Sequence, residues 1–334
     1  MKAEKFFVIG SNSFTGATFV DYLLARGCDV IGASRSAEPD AVFLPYRWPA
    51  QRPAGANFRF ACLDLNHHTE ELASALEAFE PDYVVNFAAQ SMVAESWLYP
   101  DQWYQTNVVA NVRLHEKLRQ FRFLKKYVHV STPEVYGSCS GNVTESAPLN
   151  PSTPYAASRA ACDLHLLTFF KQYQFPVVFT RAANVYGPGQ QLYRIIPRAS
   201  FFIRTGRKLH LHGGGQSVRS FIHARDVADG TWRVAHAGVP GEVYHLATAL
   251  YVSIRELVER ICGRLGVDFH EHVEGAAERP GKDAAYLLDT SKARQTLGWH
   301  DAISLDQGLD DTIHWVTTRL EELKLQPSEY LHKP

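Results

Sequence analysis

Short, almost uniformly apolar runs alternate with amphipathic segments along the first half of the chain. The runs predict six buried strands, within residues 5–10, 29–34, 58–65, 82–89, 127–137 and 176–188. The segments between them have the period of helices, with one predicted over residues 14–26, another over 70–79 and a third from near Tyr155. Strands that alternate with helices form a parallel sheet with helices on both faces. We therefore predict an α/β fold with a Rossmann-type, doubly wound parallel sheet.

The alternation loosens after Pro188, where a smaller C-terminal lobe that binds the substrate is predicted. The dinucleotide-binding domain is expected to comprise residues 1–187, with about 225–262 returning to it. The lobe is expected to comprise residues 188–224 and 263–334, with a last amphipathic helix near 305–322. Ligands bind beyond the carboxyl ends of the strands in such sheets, so the site is expected in the cleft between the two parts.

Composition excludes several classes of protein. The 34 Lys and Arg residues balance 35 Asp and Glu residues, so no nucleic-acid partner and no acidic membrane surface is expected. No apolar run reaches the roughly 18 residues of a membrane span. The five cysteines are far apart, as expected of reduced thiols in the cytoplasm. No metal site is predicted, because the histidines lack the spacing of metal ligands.

The turn after the first strand has the pattern of a phosphate-binding loop. It reads GSNSFTG from Gly10 to Gly16, between a predicted strand and a predicted helix. The N-terminus of a helix offers free N–H groups and a partial positive charge to a pyrophosphate. The pattern is incomplete, because Ser13 stands where the middle glycine is usual. The cofactor-binding residues predicted here are Gly10, Asn12, Ser13, Phe14, Thr15 and Gly16.

The end of the second strand indicates which dinucleotide is bound. An acidic residue at this place would hold a ribose 2′-hydroxyl, whereas an arginine can hold a 2′-phosphate. The sequence has Ser34 and Arg35 and no acidic residue there, so NADP is the expected cofactor, with NAD as the alternative. Asp64 and Leu65, after the third strand, are placed to meet the adenine.

Tyr155 and Arg159 are a candidate catalytic pair. Residues four apart share one face of a helix, so the cation lies beside the phenol. A neighbouring cation favours the phenolate, and we expect it to bring the tyrosine pKa from about 10 towards neutrality. Such a phenolate can remove a proton from a sugar hydroxyl while hydride passes to a nicotinamide. The spacing is common, so the pair alone does not specify the reaction.

A longer series of motifs is more specific. In chain order these are GSNSFTG, FAAQSMVAES, VSTPEVYG, PSTPYAASR, RAANVYGPGQ, RSFIHARDVA and RPGKDAAYLLDTSKARQTLGW. With this set the chain resembles the extended short-chain dehydrogenase/reductase family over roughly residues 6–299. Within the family it is most similar to the nucleotide-sugar 4,6-dehydratases that act on dTDP-glucose or GDP-mannose.

The resemblance implies roles for individual residues. Thr132 would bond the sugar O4, and Tyr155 would be the base at that hydroxyl. Arg159 stands where the family has lysine, and Glu134 would remove the proton from C5. Further cofactor contacts are implied for Ala88, Ala89, Gln90, Asn107, Ser131, Tyr155 and Arg159. Substrate contacts are implied for Ser91, Met92, Glu95, Asn184, Arg194, Arg219, Arg279 and Asp283.

The implied reaction is NAD(P)-dependent 4,6-dehydration of a nucleoside-diphosphate hexose. Oxidation at C4 makes a ketone, which acidifies the C5 proton that Glu134 takes. The C6 hydroxyl leaves as water and the stored hydride returns to C6, so the recycled cofactor is expected to stay tightly bound. The resemblance also implies a homodimer with a four-helix interface, formed by residues near 102–121 and 155–173 of each subunit.

Three residues depart from the dehydratase pattern. Pro133 replaces the aspartate that protonates the leaving hydroxyl in glucose-type enzymes, Arg159 replaces lysine, and Met92 fills a place often held by histidine. Loss of general-acid help typically costs about 10²–10⁴ in rate, although the mannose-type enzymes lack this aspartate as well. The alternatives are a nucleotide-sugar 4-epimerase, which needs no carboxylate at the Glu134 place, another reaction such as 5,6-elimination or decarboxylation, and a nucleotide-sugar binder without turnover.

Overall fold

Strands and helices alternate along the part of the chain that the structure describes. The structure, a computed structural model, describes residues 3–49, 51–139, 141–277 and 287–333. The strands are β1 (Lys5–Ile9), β2 (Asp29–Ser34), β3 (Asn57–Cys62), β4 (Tyr83–Asn86), β5 (Lys126–Val130), β6 (Asn142–Val143), β7 (Val177–Ala182), β8 (Asn184–Tyr186), β9 (Leu209–His212), β10 (Val218–His223), β11 (Val243–Leu246), β12 (Tyr251–Ser253), β13 (Val273–Ala276) and β14 (Leu287–Leu288). The helices are α1 (Phe14–Leu24), α2 (Thr69–Phe79), α3 (Val93–Leu98), α4 (Pro100–Tyr104), α5 (Asn111–Leu118), α6 (Pro154–Tyr173), α7 (Ile195–Arg204), α8 (Ala224–Ala237), α9 (Ile254–Leu265), α10 (Phe269–His272), α11 (Ser291–Leu297), α12 (Leu305–Thr318) and α13 (Leu320–Lys324). Short 3₁₀ turns lie at Ala41–Phe43, Pro45–Arg47, Pro133–Tyr136 and Gly213–Gly215, and a π-helical turn spans Gln105–Ala110.

Seven of the described strands form one parallel sheet, in the order β3-β2-β1-β4-β5-β7-β11. β1 lies between β2 and β4, with Phe6 opposite Val30 on one side and opposite Tyr83 on the other. Because helices cover both faces of the sheet, neighbouring residues of β1 are buried alike, and Phe6, Phe7 and Val8 have no exposed surface. The predicted α/β fold with a Rossmann-type sheet is confirmed.

The elements differ from the predicted ones at several places, and the helices between β4 and β5 were not predicted. The sequence pattern does not predict β11, because this strand is only four residues long and its third residue is His245. α1 ends at Leu24, two residues before the predicted end of its helix. The helix predicted over 305–322 is divided into α12 and α13 at Arg319.

A second hydrophobic core lies beside the sheet and forms the predicted smaller lobe. β8, β10 and β12 make a small sheet there, and α7, α9 and α12 pack around buried residues such as Leu192, Leu257 and Leu309. α8 and β11 contribute to the core of the large sheet, whereas α9 packs in the lobe. The exact domain limits stay a prediction, and the cleft between the two cores is where the site lies.

Candidate active site

The loop from Gly10 to Gly16 connects β1 to α1 through close backbone contacts. Gly10 has a φ of 82°, and a Cβ atom there would lie 2.6 Å from the amide nitrogen of Ala88. A Cβ atom at Gly16 would lie 2.2 Å from the Gly10 carbonyl oxygen. Ser13 has a φ of −71° and caps α1, because its Oγ accepts from the Gly16 amide at 3.1 Å. Serine therefore suits this position, and the first turn of α1 presents backbone N–H groups that the helix itself does not satisfy.

A cavity of about 460 Å³ opens beside this loop. Ten predicted cofactor residues line it, namely Gly10, Asn12, Ser13, Ser34, Arg35, Asp64, Leu65, Ala88, Ala89 and Gln90. Two lining residues, Asn12 and Asn66, have a buried Oδ1 atom without a hydrogen-bond partner among the described residues. The ribose hydroxyls and adenine amino group of a dinucleotide are donors that would satisfy such acceptors. The lining therefore fits a dinucleotide.

Seven predicted cofactor residues do not line this cavity, namely Phe14, Thr15, Gly16, Asn107, Ser131, Tyr155 and Arg159. Asn107 is fully buried in the π-helical turn and makes two hydrogen bonds with the backbone of Gln90, at 2.8 and 2.9 Å. The Oγ of Ser131 donates to Oδ2 of Asp163 at 2.7 Å. Asn107 and Ser131 therefore shape the site from behind its lining.

The 326–333 segment crosses the cavity, which the sequence does not predict. Its lining residues are Gln326, Pro327, Glu329, Tyr330, Leu331 and Lys333. Glu329 forms an ion pair with Arg198 of α7 through two bonds, of 2.7 and 3.0 Å. The carbonyl oxygen of Lys333 accepts from Gln90 at 2.8 Å and from Arg35 at 3.2 Å. These partners lie 131 to 298 positions away along the chain, so no local motif could have indicated them.

Thr132, Glu134 and Tyr155 lie together where β5 ends and α6 begins. Thr132 caps the 3₁₀ turn Pro133–Tyr136 by accepting from the Glu134 amide at 3.3 Å. The proline suits the first position of this turn, where no backbone donor is needed. Thr153 caps α6 and so places Tyr155 in its first turn. The phenol of Tyr155 is hydrogen-bonded to Thr132, and the Glu134 carboxylate is close enough to affect the tyrosine pKa.

The structure corrects the expected ionisation of Tyr155. Burial of the phenol and, after it, the charge of Glu134 raise the pKa of Tyr155 above its usual value. Arg159, the hydrogen bond with Thr132 and Arg194 lower this pKa, but by less. The prediction of a pKa near neutrality is wrong because it considered the cation alone.

Arg159 is buried and reaches the end of β5. Its Nη2 donates to Nε2 of His129 at 3.1 Å and to the carbonyl oxygen of Val130. Within the described residues, Nε of Arg159 is buried and has no hydrogen-bond partner. The predicted cation is therefore present one helical turn after Tyr155, and the strand fixes its position.

A buried polar network lies behind these residues and is not predicted from the sequence. Asp163 accepts from Ser131 and from Nη2 of Arg181, each at 2.7 Å. Arg181 also donates to the hydroxyl of Tyr136 at 2.5 Å, and that hydroxyl lies 2.7 Å from Nε2 of His245. Arg181 and Tyr136 belong to the motifs RAANVYGPGQ and VSTPEVYG, and these motifs were the part of the sequence that could have indicated the network. The network links three strands and α6 beneath the candidate site.

The predicted substrate residues lie on both sides of the cleft. Arg194 precedes α7 and is close enough to Tyr155 to affect its pKa. Asn184 and Arg219 lie on the paired strands β8 and β10, where Asn184 donates to the Ser220 carbonyl oxygen at 3.1 Å. The loop before α3 and its first turns contain Ser91, Met92 and Glu95. Two predicted substrate residues lie outside the described part of the chain, Arg279 and Asp283.

Comparison with known proteins identifies the family. Residues 7–312 match the sequence model of the GDP-mannose 4,6 dehydratase family. The chain belongs to this family. A protein of Sinorhizobium fredii described as a probable dTDP-glucose 4,6-dehydratase is 30% identical over 326 residues, which cover 92% of this chain and 91% of the relative. The resemblance carried by the motifs is confirmed.

A solved dehydratase structure agrees with this assignment. The dTDP-glucose 4,6-dehydratase of Streptomyces venezuelae, solved with NAD bound, has a TM-score of 0.86 and 33% identity, over 96% of this chain and 99% of that one. The UDP-glucose 4-epimerase of Thermotoga maritima, solved with UDP-glucose, has a TM-score of 0.84 and 24% identity, over 95% and 99%. The second likeness, at its lower identity, shows the shared fold alone.

Proposed function

We propose that the protein is a nicotinamide-dependent 4,6-dehydratase, which converts a nucleoside-diphosphate hexose to its 4-keto-6-deoxy form. The position of Glu134 carries this proposal, because its carboxylate lies in the 3₁₀ turn beside the phenol of Tyr155. Elimination across C5 and C6 requires a base that removes the C5 proton. A 4-epimerase only returns hydride to the other face of C4 and has no use for this carboxylate. The relatives described as dTDP-glucose 4,6-dehydratases support the same reaction.

The cavity fits the cofactor that this reaction needs. A nicotinamide dinucleotide bound there supplies the hydride acceptor for C4 and the hydride donor for C6. The first turn of α1 would bind the pyrophosphate, and Asn12 and Asn66 would accept from ribose or adenine donors. Arg35 in the lining supports NADP, whereas NAD is the cofactor in the solved dehydratase structures. We propose NADP, with NAD as the alternative.

The proton steps are assigned to three side chains. Tyr155 would accept the proton of the C4 hydroxyl, while its hydrogen bond to Thr132 orients both groups on that oxygen. Glu134 would remove the C5 proton, and C5 would take a proton from solvent when hydride returns to C6. Because a proline occupies position 133, the proton for the leaving C6 hydroxyl would come from Glu134, once protonated, or from water.

The substrate's diphosphate is assigned to the lobe side of the cleft. Arg194 lies near Tyr155, and Arg219 and Asn184 lie on the neighbouring strands β10 and β8. Guanidinium groups bind phosphate through charge-assisted hydrogen bonds, which supports these residues as nucleotide ligands. The reacting sugar would then lie between them and Glu134.

We propose that two copies form a homodimer through residues 102–121 and 155–173. Both segments expose large apolar side chains, since Tyr104 is 41% exposed and Leu164 is 54% exposed. Val109 and Tyr173 are exposed in the same way. Exposed apolar patches of this kind are typical of subunit interfaces.

We also propose a location in the cytoplasm. The five cysteines are free thiols, which is typical of a reducing compartment. Among the described helices, none combines the length and the apolar character that a membrane crossing requires. The formal net charge of −1 supports the expectation that nucleic acid is not a partner.

Product analysis in heavy water tests the reaction. The purified protein is incubated with a panel of nucleoside-diphosphate hexoses, and the products are examined by mass spectrometry. We expect one substrate to lose one water and to gain one deuterium at C5. The reactive member of the panel would also identify the base and the sugar.

An unchanged mass for every nucleotide sugar would contradict the dehydratase proposal for that panel. NMR spectra of the same samples would then separate a 4-epimerase, which inverts C4 without changing the mass, from a binder without turnover. A loss of carbon dioxide from a uronic acid would indicate decarboxylation instead.

A further inference from the structure

Arg159 and His129 form a buried contact for which the reaction as proposed gives no reason. Nη2 of Arg159 lies 3.1 Å from Nε2 of His129 and also donates to the carbonyl oxygen of Val130. Arg159 is 2% exposed and His129 is not exposed at all. The contact joins α6 to the end of β5, directly behind Ser131 and one helical turn from Tyr155.

The direction of the hydrogen bond follows from the chemistry of the two groups. A guanidinium has donors only, so Nε2 of His129 must be the acceptor. His129 is therefore neutral, with its proton on Nδ1, which lies 3.4 Å from the hydroxyl of Tyr127. Oδ1 of Asp163 is farther from Nε2 than Arg159 is, at 3.5 Å, and the carboxylate is paired through Oδ2 with Arg181. Burial and the charges of Arg159 and Arg181 hold the pKa of His129 well below its usual value, in agreement with a neutral ring. His129 thus presents a lone pair to the guanidinium at neutral pH.

The two bonds to Nη2 leave another donor of the same guanidinium unused. Nε of Arg159 is buried and has no hydrogen-bond partner among the described residues. A buried N–H group without a partner is costly, and such groups are rare unless a ligand satisfies them. Because the guanidinium is planar, the bonds to His129 and Val130 also fix the direction of Nε–H.

We propose that His129 is a positioning residue, which holds the Arg159 guanidinium so that its Nε–H meets a hydroxyl of the cofactor's nicotinamide ribose. The proposal rests on the proposed function for the identity of the cofactor. A lysine at this place would carry its charge on a single nitrogen at a freely rotating end, and no histidine would be needed to orient a plane. The presence of His129 therefore agrees with an arginine, rather than a lysine, at position 159.

A metal ion is a competing use of the same histidine. His115, His129 and Cys162 have potential ligand atoms within 4.8 Å of one another. The lone pair of His129 Nε2 is already used by Arg159, and a guanidinium 3.1 Å away would repel a metal cation. The geometry therefore assigns this lone pair to Arg159.

The test removes the hydrogen-bond acceptor of His129 and keeps an aromatic ring at that position. In the full chain, His129→Phe deletes the lone pair, and His129→Gln replaces it with an amide oxygen at a similar distance from the backbone. The Kd values for NADP and for NAD are measured by titration calorimetry after cofactor removal. The kcat and KM are measured with the reactive nucleotide sugar. We expect His129→Phe to raise the Kd about tenfold and to lower kcat about tenfold, with KM changed less than about twofold. His129→Gln should recover most of both losses.

A double-mutant cycle with Arg159→Lys separates positioning from packing. In the Arg159→Lys background, His129→Phe should change the Kd for NAD by less than about twofold, because no planar group remains to be oriented. If His129→Phe raises the Kd for NAD equally in the parent and in the Arg159→Lys background, the proposal is overturned. It is also overturned if His129→Gln folds but binds NAD as weakly as His129→Phe does. If His129→Phe does not fold, His129→Leu provides the same comparison.

His115→Leu is the matched control. His115 is a fully buried histidine of the same cluster, and its Nε2 is hydrogen-bonded to the Tyr127 hydroxyl at 3.0 Å rather than to Arg159. Its loss should lower the Tm and leave the Kd for NAD within about twofold of the parent value. The double-mutant cycle measures the Kd for NAD and needs no turnover. An absence of dehydration would therefore contradict the proposed function without deciding the role of His129.

Discussion

The two ends of the cleft are held in place in different ways. The end that we propose to be catalytic, called the catalytic end below, comprises Thr132, Glu134, Tyr155 and Arg159. The loop end comprises Ser34, Arg35, Gln90 and the 326–333 segment. Buried hydrogen bonds to β5 and the network around Asp163 and Arg181 support the catalytic end. At the loop end, by contrast, the contacts from Arg198 to Glu329 and from Arg35 to Lys333 are exposed.

This difference has a physical consequence for substitutions. Removal of one member of a buried network leaves its partner unsatisfied in a medium that cannot replace the lost bond. An exposed ion pair contributes little, because water competes for both groups and salt screens them. We therefore expect large, specific effects at the catalytic end and smaller, graded effects at the loop end.

The largest effect is expected from Glu134→Gln. The amide cannot remove the C5 proton, so the rate of dehydration should fall by about 10²–10⁴. The Kd for NAD should be unchanged, because the substitution lies outside the cavity lining. Glu145→Gln is the control, because Oε1 of Glu145 accepts from the His245 amide and the substituted amide keeps that acceptor. Dehydration within about threefold of the parent rate would remove Glu134 from the mechanism.

The network beneath the catalytic end should make the protein sensitive to acid. Burial lowers the pKa of His245 to about 4, whereas an unfolded histidine titrates near 6.5. Because the folded-state pKa is the lower one, the unfolded chain binds protons first, and stability is lost as the pH falls from about 6.5 towards 4. This histidine alone should cost about 2 kcal/mol between pH 7 and pH 5. Urea unfolding at both pH values measures the loss.

His245→Gln tests this assignment. The amide oxygen can still accept from Tyr136 but does not titrate, so the variant should lose about 2 kcal/mol less than the parent chain on acidification. His300→Gln, at an exposed position, is the control. If both variants keep the parent's pH dependence, His245 is not a source of acid sensitivity.

At the loop end, loss of the 326–333 segment should weaken cofactor retention. A chain that ends at Leu325 lacks the Lys333 carbonyl bonded to Gln90 and the stacking contacts of His332 with Tyr99 and with Trp103. We expect the Kd for NAD to rise about tenfold, with kcat unchanged at saturating NAD. Arg198→Met, which breaks the ion pair to Glu329, should cause a smaller change in the same direction. Tighter binding by the shortened chain would show instead that the segment competes with the cofactor.

The smallest effect is expected at Arg35. If its guanidinium binds a 2′-phosphate, Arg35→Gln should reduce the preference for NADP over NAD about fivefold, since the group is exposed. Arg59→Gln, which removes an exposed arginine paired with Asp29 on the neighbouring strands, should leave the ratio unchanged. An unaltered ratio in Arg35→Gln would limit its role to the contact with Lys333.

The sequence predicts the parts of the site that depend on local geometry. Gly10 and Gly16 are required because a Cβ at either would lie within 2.6 Å of the backbone. Tyr155 follows a cap and a proline at the start of α6, so its place in the first turn is local information as well. Ser13 departs from the glycine pattern, and its side chain caps the N-terminus of α1 with a backbone conformation that serine readily adopts.

The ionisation of Tyr155 could not be predicted in the same way. The sequence shows an arginine four residues away, and this cation does lower the tyrosine pKa. Burial depends on the whole fold, however, and the contribution of Glu134 depends on the turn after β5. Both raise the pKa and together outweigh the cation. The sequence shows which charges share a helix with Tyr155, but it does not show how deeply the fold buries the phenol, and burial has the larger effect on its pKa.

The sequence by itself determined the alternation of strands and helices, the tight turn from Gly10 to Gly16 and the family, because each depends on residues that are close together or on motifs in a fixed order. Tertiary structure alone decided where Arg159 donates its hydrogen bonds, what lies behind Ser131, and which segment crosses the cofactor cavity. These contacts join residues between 29 and 298 positions apart. Such pairs meet only when the sheet and the lobe have packed, since neither a period nor a cap encodes them.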